Sequence, residues 1–403
     1  MEASLGAVSV DGGDEVSARF DELTPLVRGG AFELVAGRER GEPRVIVIGA
    51  GGDRGWQDGA LDELARAHAR IASRFVPGVA ARGRGWVALA CDATTTLDAI
   101  LSWSAATHQP PTPYGPAMGL PLIIMEAMRA AHATLDPRTG APSCMGSFGA
   151  HNVLLSDHGR PWVVGFGHNV AASLGPGVRA VRAGAHQAPE VGMGVPATPA
   201  SDVYVLDLFF RSLLPFVDLL PLARRAIAGD AAPFAPEAAR AWNEAQRRLT
   251  ASLPGERYAS IDEVLDVYRG WWSFLGVVPD IDAWIAHIGA RRHACAETTT
   301  LAIARDGSWF RPPGARRVDL ARRKSLRRLL RELASARVRE PGRPRAIGEL
   351  VAAGWPGERL VDGSGSSRVY VAISTLRQLG LGELLQRQAD GYRLDPDVPI
   401  GMA

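Results

Sequence analysis

The chain has 403 residues with 45 Lys+Arg against 43 Asp+Glu, a length that suits two or three domains rather than one core. Apolar content of 46% and charged content of 22% are ordinary for a soluble globular protein, and no stretch approaches the roughly eighteen uncharged apolar residues of a membrane span. The opening MEASLGAVSVDGGDEVSARF is acidic and lacks the basic-then-apolar order of a secretory signal; residues 1–16 read as a disordered tail. Cys91, Cys144 and Cys295 are odd in number and without paired spacing, which suits a reducing cytoplasm.

From the N-terminus, short apolar runs at Phe32–Val35, Val45–Val47 and Trp86–Ala90 predict strands. Between the second and third, LDELARAHARIASRF (61–75) has helical spacing. LPLIIMEAMRAAHATLD, from Leu120 to Asp136, predicts a long helix, and NVLLSDHGRPWVVGFG (152–167) predicts two short strands about an Asp-His-Gly turn. The apolar, aromatic segment 271–297 is expected to be a connecting helix packed at a domain interface rather than a free linker.

From Thr298 the texture changes. LAIARDGSWFRPP (301–313) reads as a hairpin about Asp306-Gly307. Helices are predicted over 318–334, 346–355 and 364–379, the last with Val369, Ile373 and Leu376 on one face. A closing hairpin over 384–394 turns at Asp390-Gly391. Residues 311–395 hold 18 Arg+Lys against 9 Asp+Glu, a net of +9, which leaves −7 on the remainder. A basic terminal domain on an acidic body suggests a polyanion partner for the C-terminus.

Several strings resemble known families. NVLL at 152–155, GFG at 165–167, APE at 188–190, SDVYVLDLF at 201–209 and ERYASIDEVL at 256–265 resemble the C-lobe of bacterial Hanks-type Ser/Thr protein kinases. The resemblance covers about 17–270 and is weaker in the N-lobe. It implies that Asn152 is the catalytic-loop Asn, that Glu190 and Arg257 form a buried ion pair, that Asp202 caps the catalytic loop, and that Phe166, followed by Gly167, plugs the core between lobes.

The departures from that family matter more than the agreements. Kinase chemistry uses a third-strand Lys on the nucleotide phosphates, an Asp base and an Asp that holds magnesium. By the family spacing those positions are Ile48, Ser147 and Gly165. The chain's single lysine is Lys324, so none within 1–300 can be recruited. The glycine loop is reduced to Gly29-Gly30. The resemblance therefore implies a pseudokinase with no catalytic residues, no cofactor and no metal. His151 and His168 read as isolated surface histidines, and His293 with Cys295 do not suffice for a zinc site.

The string VYVAISTLRQLGLGELLQRQADGYRL resembles the recognition helix, turn and wing of OmpR-type winged-helix effector domains, over about 298–403. That resemblance implies double-stranded DNA as partner, with Ser367, Arg368, Ser374, Thr375 and Gln378 on the exposed helix face and Arg387 and Arg393 on the wing. Arg377 is expected either to contact phosphate or to brace the fold. The fold class expected is α+β, a bilobal kinase-like fold followed by a small winged helix. The function expected is a cytoplasmic bacterial transcription regulator, which docks another protein through its kinase-like part and is able to pair as a homodimer. Two alternatives stay open: an atypical kinase-like or nucleotide-binding protein, and a protein–protein scaffold.

Overall fold

A computed structural model describes residues 11–27, 32–49, 54–167, 187–227, 236–340, 342–357, 364–388, 391–396 and 398–402. The chain is mixed α+β with several small sheets, and it divides into two compact units at Arg292/His293.

The first unit opens with helix α1 (Asp11–Arg19), so the expected tail through residue 16 is already helical from Asp11. Val16, on that helix, is buried together with Phe20 just beyond it. Strands β1 (Asp21–Val27), β2 (Phe32–Glu39) and β3 (Glu42–Gly49) lead into helix α2 (Arg54–His68), followed by β4 (Val79–Gly83) and β5 (Trp86–Leu89). They form one antiparallel sheet in the order β1-β2-β3-β5-β4. Val45 and Val47 of β3 pack with Leu61, Leu64 and Ala65 of α2. Ile46 and Ile48 point the other way, against Val16, Phe20 and Trp86. Both sheet faces are covered, which is why β3 reads as an unbroken Val-Ile-Val-Ile run.

The helix expected over 61–75 lies seven residues earlier. Ile71 and Phe75 continue its apolar period and are buried, but in turns beyond the helix. His68 Nδ1 bonds the Pro77 carbonyl at 2.9 Å, and the Val163 amide donates to the Phe75 carbonyl at 2.7 Å. Tertiary hydrogen bonds have overridden the local period.

Strand β6 (Ala93–Thr96) runs into helix α3 (Leu97–Ala106), whose start is capped by Thr96. Short elements β7 (Thr112–Pro113) and α4 (Tyr114–Ala117) precede the buried helix α5 (Gly119–His132). Strands β8 (Val153–Ser156) and β9 (Pro161–Val163) complete a three-stranded sheet in the order β6-β8-β9. Then come α6 (Pro189–Gly192), α7 (Pro199–Leu213), β10 (Val217–Asp218), α8 (Leu220–Ile227), α9 (Pro236–Leu249) and α10 (Ile261–Leu275). Ser260 caps α10 at its start, and Gly276, at φ +64, ends it. The connecting segment 271–297 is thus not one helix. Its first residues finish α10, and α11 (Ile281–Thr299) begins after the break, with the unit boundary inside it rather than at 297/298.

The second unit contains β11 (Leu301–Ile303), β12 (Trp309–Arg311) and β13 (Val318–Asp319). The expected helix over 318–334 therefore starts as a strand, and α12 runs over Lys324–Arg339. After it come β14 (Arg345–Ala346), α13 (Ile347–Gly354), α14 (Ser364–Leu376), the strands β15 (Leu385–Gln388) and β16 (Gly391–Leu394), and β17 (Ile400–Met402). Leu326, Leu329, Leu330 and Leu333 of α12 pack with Leu350, Val369, Ile373 and Leu376 in one core. β15 and β16 pair antiparallel, and β14 adds a third strand. That addition requires Gly391, where a Cβ would come within 3 Å of the Arg345 carbonyl. β17 joins parallel to β11, a pairing no local signal announced.

Candidate functional site

Each unit carries its own set of candidate residues. In the first unit, hydrogen bonds hold Asn152, in the turn before β8, beside Val164, the residue before Gly165. Asn152 is fully buried, and its carboxamide is committed to backbone: Oδ1 accepts from the Gly149 amide at 3.0 Å and Nδ2 donates to the Val164 carbonyl at 2.9 Å. This is the hydrogen-bonding pattern of a loop brace. Ser147 is buried and forms a backbone bridge with Gln187. Gly165 has φ +110, a conformation that strains any L side chain. An aspartate could not occupy that position at ordinary cost. Phe166 is fully buried, and Gly167, at φ +82, sits where a Cβ would meet Ala67 Cβ and the Glu63 carbonyl of α2 at 2.7 Å.

Sequence reasoning missed His68, the last residue of α2. Its Nδ1–H donates to the Pro77 carbonyl, and its Nε2 accepts from the Gly165 amide at 3.2 Å. The ring lies 6.1 Å from that of Phe166. Burial lowers its pKa to about 4, with the Pro77 hydrogen bond opposing that shift. No sequence-adjacent partner marks this histidine, so only the fold reveals it.

Other expectations need correction. Ile48 was assigned the position of a third-strand lysine, but its side chain lies on the sheet face turned away from α2. Val47 is the neighbour that faces the helix. His151 is buried rather than a surface residue. His168 and the Gly29-Gly30 loop lie outside the described residues.

Glu190 and Arg257 form a bidentate pair at 2.7 and 2.9 Å, with the Arg257 side chain fully buried. Ser201 adds a third hydrogen bond to Glu190 at 2.7 Å. Arg257 also donates to the carbonyls of Ala251, Ala200 and Ser252. Burial pushes the Glu190 carboxyl up, but the Arg257 and Ser201 hydrogen bonds outweigh it and bring the pKa down to about 2. Asp202 is fully buried. Its Oδ1 accepts from the Met145 and Gly146 amides at 3.0 and 2.6 Å, and its Oδ2 accepts from His132 Nε2 at 2.8 Å.

His132, Cys144 and Asp202 have potential ligand atoms within 4.8 Å of one another. They are better read as a structural knot. The His132 nitrogen is spent on Asp202, and burial followed by the Asp202 charge pushes the Cys144 thiol up, away from the thiolate a metal needs. All three cysteines are buried and none is in a disulfide. His293 lies 3.6 Å from Glu297 one helical turn on.

In the second unit, α14 buries Val369, Ala372, Ile373 and Leu376 and turns Ser367, Arg368 and Ser374 outward; Gln378, expected on this helix, is exposed in the turn just beyond it. Thr375 is half-buried, and its hydroxyl donates to the Val371 carbonyl at 2.8 Å. Arg377 is a brace. Its guanidinium donates twice to the Leu385 carbonyl, at 3.2 and 2.6 Å, and lies over the Tyr392 ring. Arg387, on β15, is exposed. Arg393, expected to be exposed, is half-buried and ties β16 to Gln386 Oε1 at 3.1 Å and to the Gly342 carbonyl at 2.7 Å. Of the residues expected to contact DNA, those on the outer face of α14 and on β15 are therefore the accessible ones. Asp390 lies outside the described residues.

Sequence reasoning also passed over the start of α12. Arg322, Arg323, Lys324 and Arg328 line an open groove of about 870 Å³ with Trp355 and Arg368. The signal was present as the run RRKSLRR, but it was counted into net charge and not assigned to a place.

Among the described residues no helix is long and apolar enough to cross a membrane. Neither a protein-family model nor a curated protein matches this chain.

Proposed function

We propose that the chain is a cytoplasmic transcription regulator in which residues 17–270 are a catalytically inactive, protein-kinase-like domain and residues 298–403 a DNA-binding winged helix. The first domain receives a partner protein or signal; the second binds double-stranded DNA.

The observation that carries the reading is the arrangement in the second unit. Strands, three packed helices and a closing hairpin follow one another in winged-helix order. The third helix turns Ser367, Arg368 and Ser374 outward, and exposed Gln378 in the following turn and Arg387 on the hairpin come after it. A net charge of +9 over 311–395 supplies the sequence-independent attraction to phosphate.

For the first domain, the supporting pattern is retained architecture without retained chemistry. An antiparallel five-stranded sheet carries one helix between its third and fourth strands. The Glu190–Arg257 pair and the Asp202 cap brace the part that follows. Carboxylates and lysine are missing from every position that phosphoryl transfer would use. Loss of the base and a metal ligand together leaves little rate to recover.

Fluorescence anisotropy of the full chain with labelled duplex DNA across a salt series tests the reading. Binding that weakens steeply as salt rises is the expected result. An absence of binding at low salt would overturn it and favour the scaffold alternative.

A further inference from the structure

The groove at the start of α12 carries a site that the proposed recognition helix and wing do not include. Among the described residues, its lining contains Arg322, Arg323, Lys324, Arg328 and Arg368 and no carboxylate. Among the described residues, the first four are exposed and have no acidic partner. Nearby Arg327, by contrast, is paired with Asp306 at 2.9 Å. Four cations without an acidic partner among the described residues thus cluster along this groove.

The helix itself sharpens the point. α12 is sixteen residues long, its cap residue is Arg323, no side chain caps it, and its first turn contains no acid. The N-terminal end of a helix is its positive pole, with unsatisfied backbone N–H groups, and favours anions there. This sequence places cations at that pole, which is unfavourable until an anion arrives. Two independent features, a groove whose charged residues among those described are all cations and an uncapped positive pole, select the same ligand charge. Trp355 and Leu326 also line it, as do Ser367, Arg368 and Thr375 of α14. The groove is therefore continuous with the face proposed to read bases.

Resting on the DNA-binding reading, we infer that this groove seats the phosphodiester backbone of one DNA strand, so that α12 is a second anchor beside the wing. Arg323, Lys324 and Arg328 contact phosphates. Arg368 stands at the junction between backbone and base contacts.

Lys324 makes the test direct, because the chain has no other lysine. Amine labelling of the full chain modifies only its ε-amine and the α-amine, and mass spectrometry separates the two. A duplex that binds is expected to slow Lys324 labelling several-fold. In parallel, the triple variant R323A/K324A/R328A is expected to lower the slope of log K against log salt by about two to three, at ~0.9 per phosphate, without changing sequence preference. Wild-type chain that binds DNA while Lys324 labels at its free rate overturns the α12 anchor and leaves the DNA reading standing. Wild-type chain that does not bind DNA at all overturns both. The labelling uses unaltered protein, so a variant that fails to fold does not weaken the test.

Discussion

His68 Nε2 accepts the backbone N–H of Gly165 at 3.2 Å, across 97 residues of sequence. The imidazole must be neutral to do so, since a protonated ring has no lone pair to offer. In the unfolded chain it takes up a proton near 6.5, but in its buried site only near 4. Between those values the unfolded state binds more protons, so stability is complete above about pH 6.5 and falls as pH drops toward 4. The shift corresponds to about 3 kcal/mol. Urea titrations at a series of pH values should show this loss, and His68→Gln should remove it. A variant with the same pH profile as wild type in that window would refute the role given to His68.

The Glu190–Arg257 pair responds in a different window. Its carboxyl titrates near 2 when folded, well under the ordinary 4.5. It therefore contributes stability that is fully present above about pH 4.5 and is lost as pH falls toward 2. Glu190→Ala leaves the buried Arg257 guanidinium without its counter-charge. The expected cost is about 3–5 kcal/mol, read as a fall in the urea midpoint. A cost under about 1 kcal/mol would mean that the three carbonyl partners of Arg257 suffice.

The positions legible in the sequence were those fixed by short-range chemistry. Asp306-Gly307 announced a hairpin, and the α14 period identified Val369, Ile373 and Leu376 as core. Orientation failed where periodicity was erased. β3 is apolar on both faces, so its alternation could not distinguish Ile48 from Val47. Arg393 failed for another reason. An arginine on a hairpin looks the same in sequence whether it faces solvent or bonds a distant carbonyl such as that of Gly342. β17 and the His68 contact to Gly165 depend on pairings far apart in the chain, and no local pattern carries those.

An aspartate placed at Gly165, where the kinase reading puts a metal-binding aspartate, is expected not to create a magnesium site. Gly165→Asp must adopt a backbone at φ +110, at an expected cost of about 1–3 kcal/mol. The neighbouring amide of Asn152 is already committed to Gly149 and Val164. Thermal shifts with ATP and magnesium are expected to show no metal-dependent stabilisation in either wild type or this variant. A clear magnesium-dependent rise in wild type would return the enzyme alternative to first place.

Arginine substitutions in the second unit distinguish DNA contact from structural bracing. Arg368 is exposed at the outward face of α14. Arg368→Ala is expected to weaken DNA binding by on the order of 1–3 kcal/mol and to relax sequence preference, with little change in melting temperature. Arg387, exposed on β15, is the clean wing probe: its alanine variant should lower the salt slope by about one, equally across sequences. Arg393→Ala behaves differently, because its guanidinium holds Gln386 and the Gly342 carbonyl. It should cost about 1–2 kcal/mol in stability, and any loss of DNA affinity will track that loss. Measured together by anisotropy and thermal melting, the three variants must separate into these classes. If Arg368→Ala and Arg387→Ala stay folded and bind DNA as wild type does, the α14 face and the β15 edge are not the DNA surface, and a protein-binding role for this unit takes precedence.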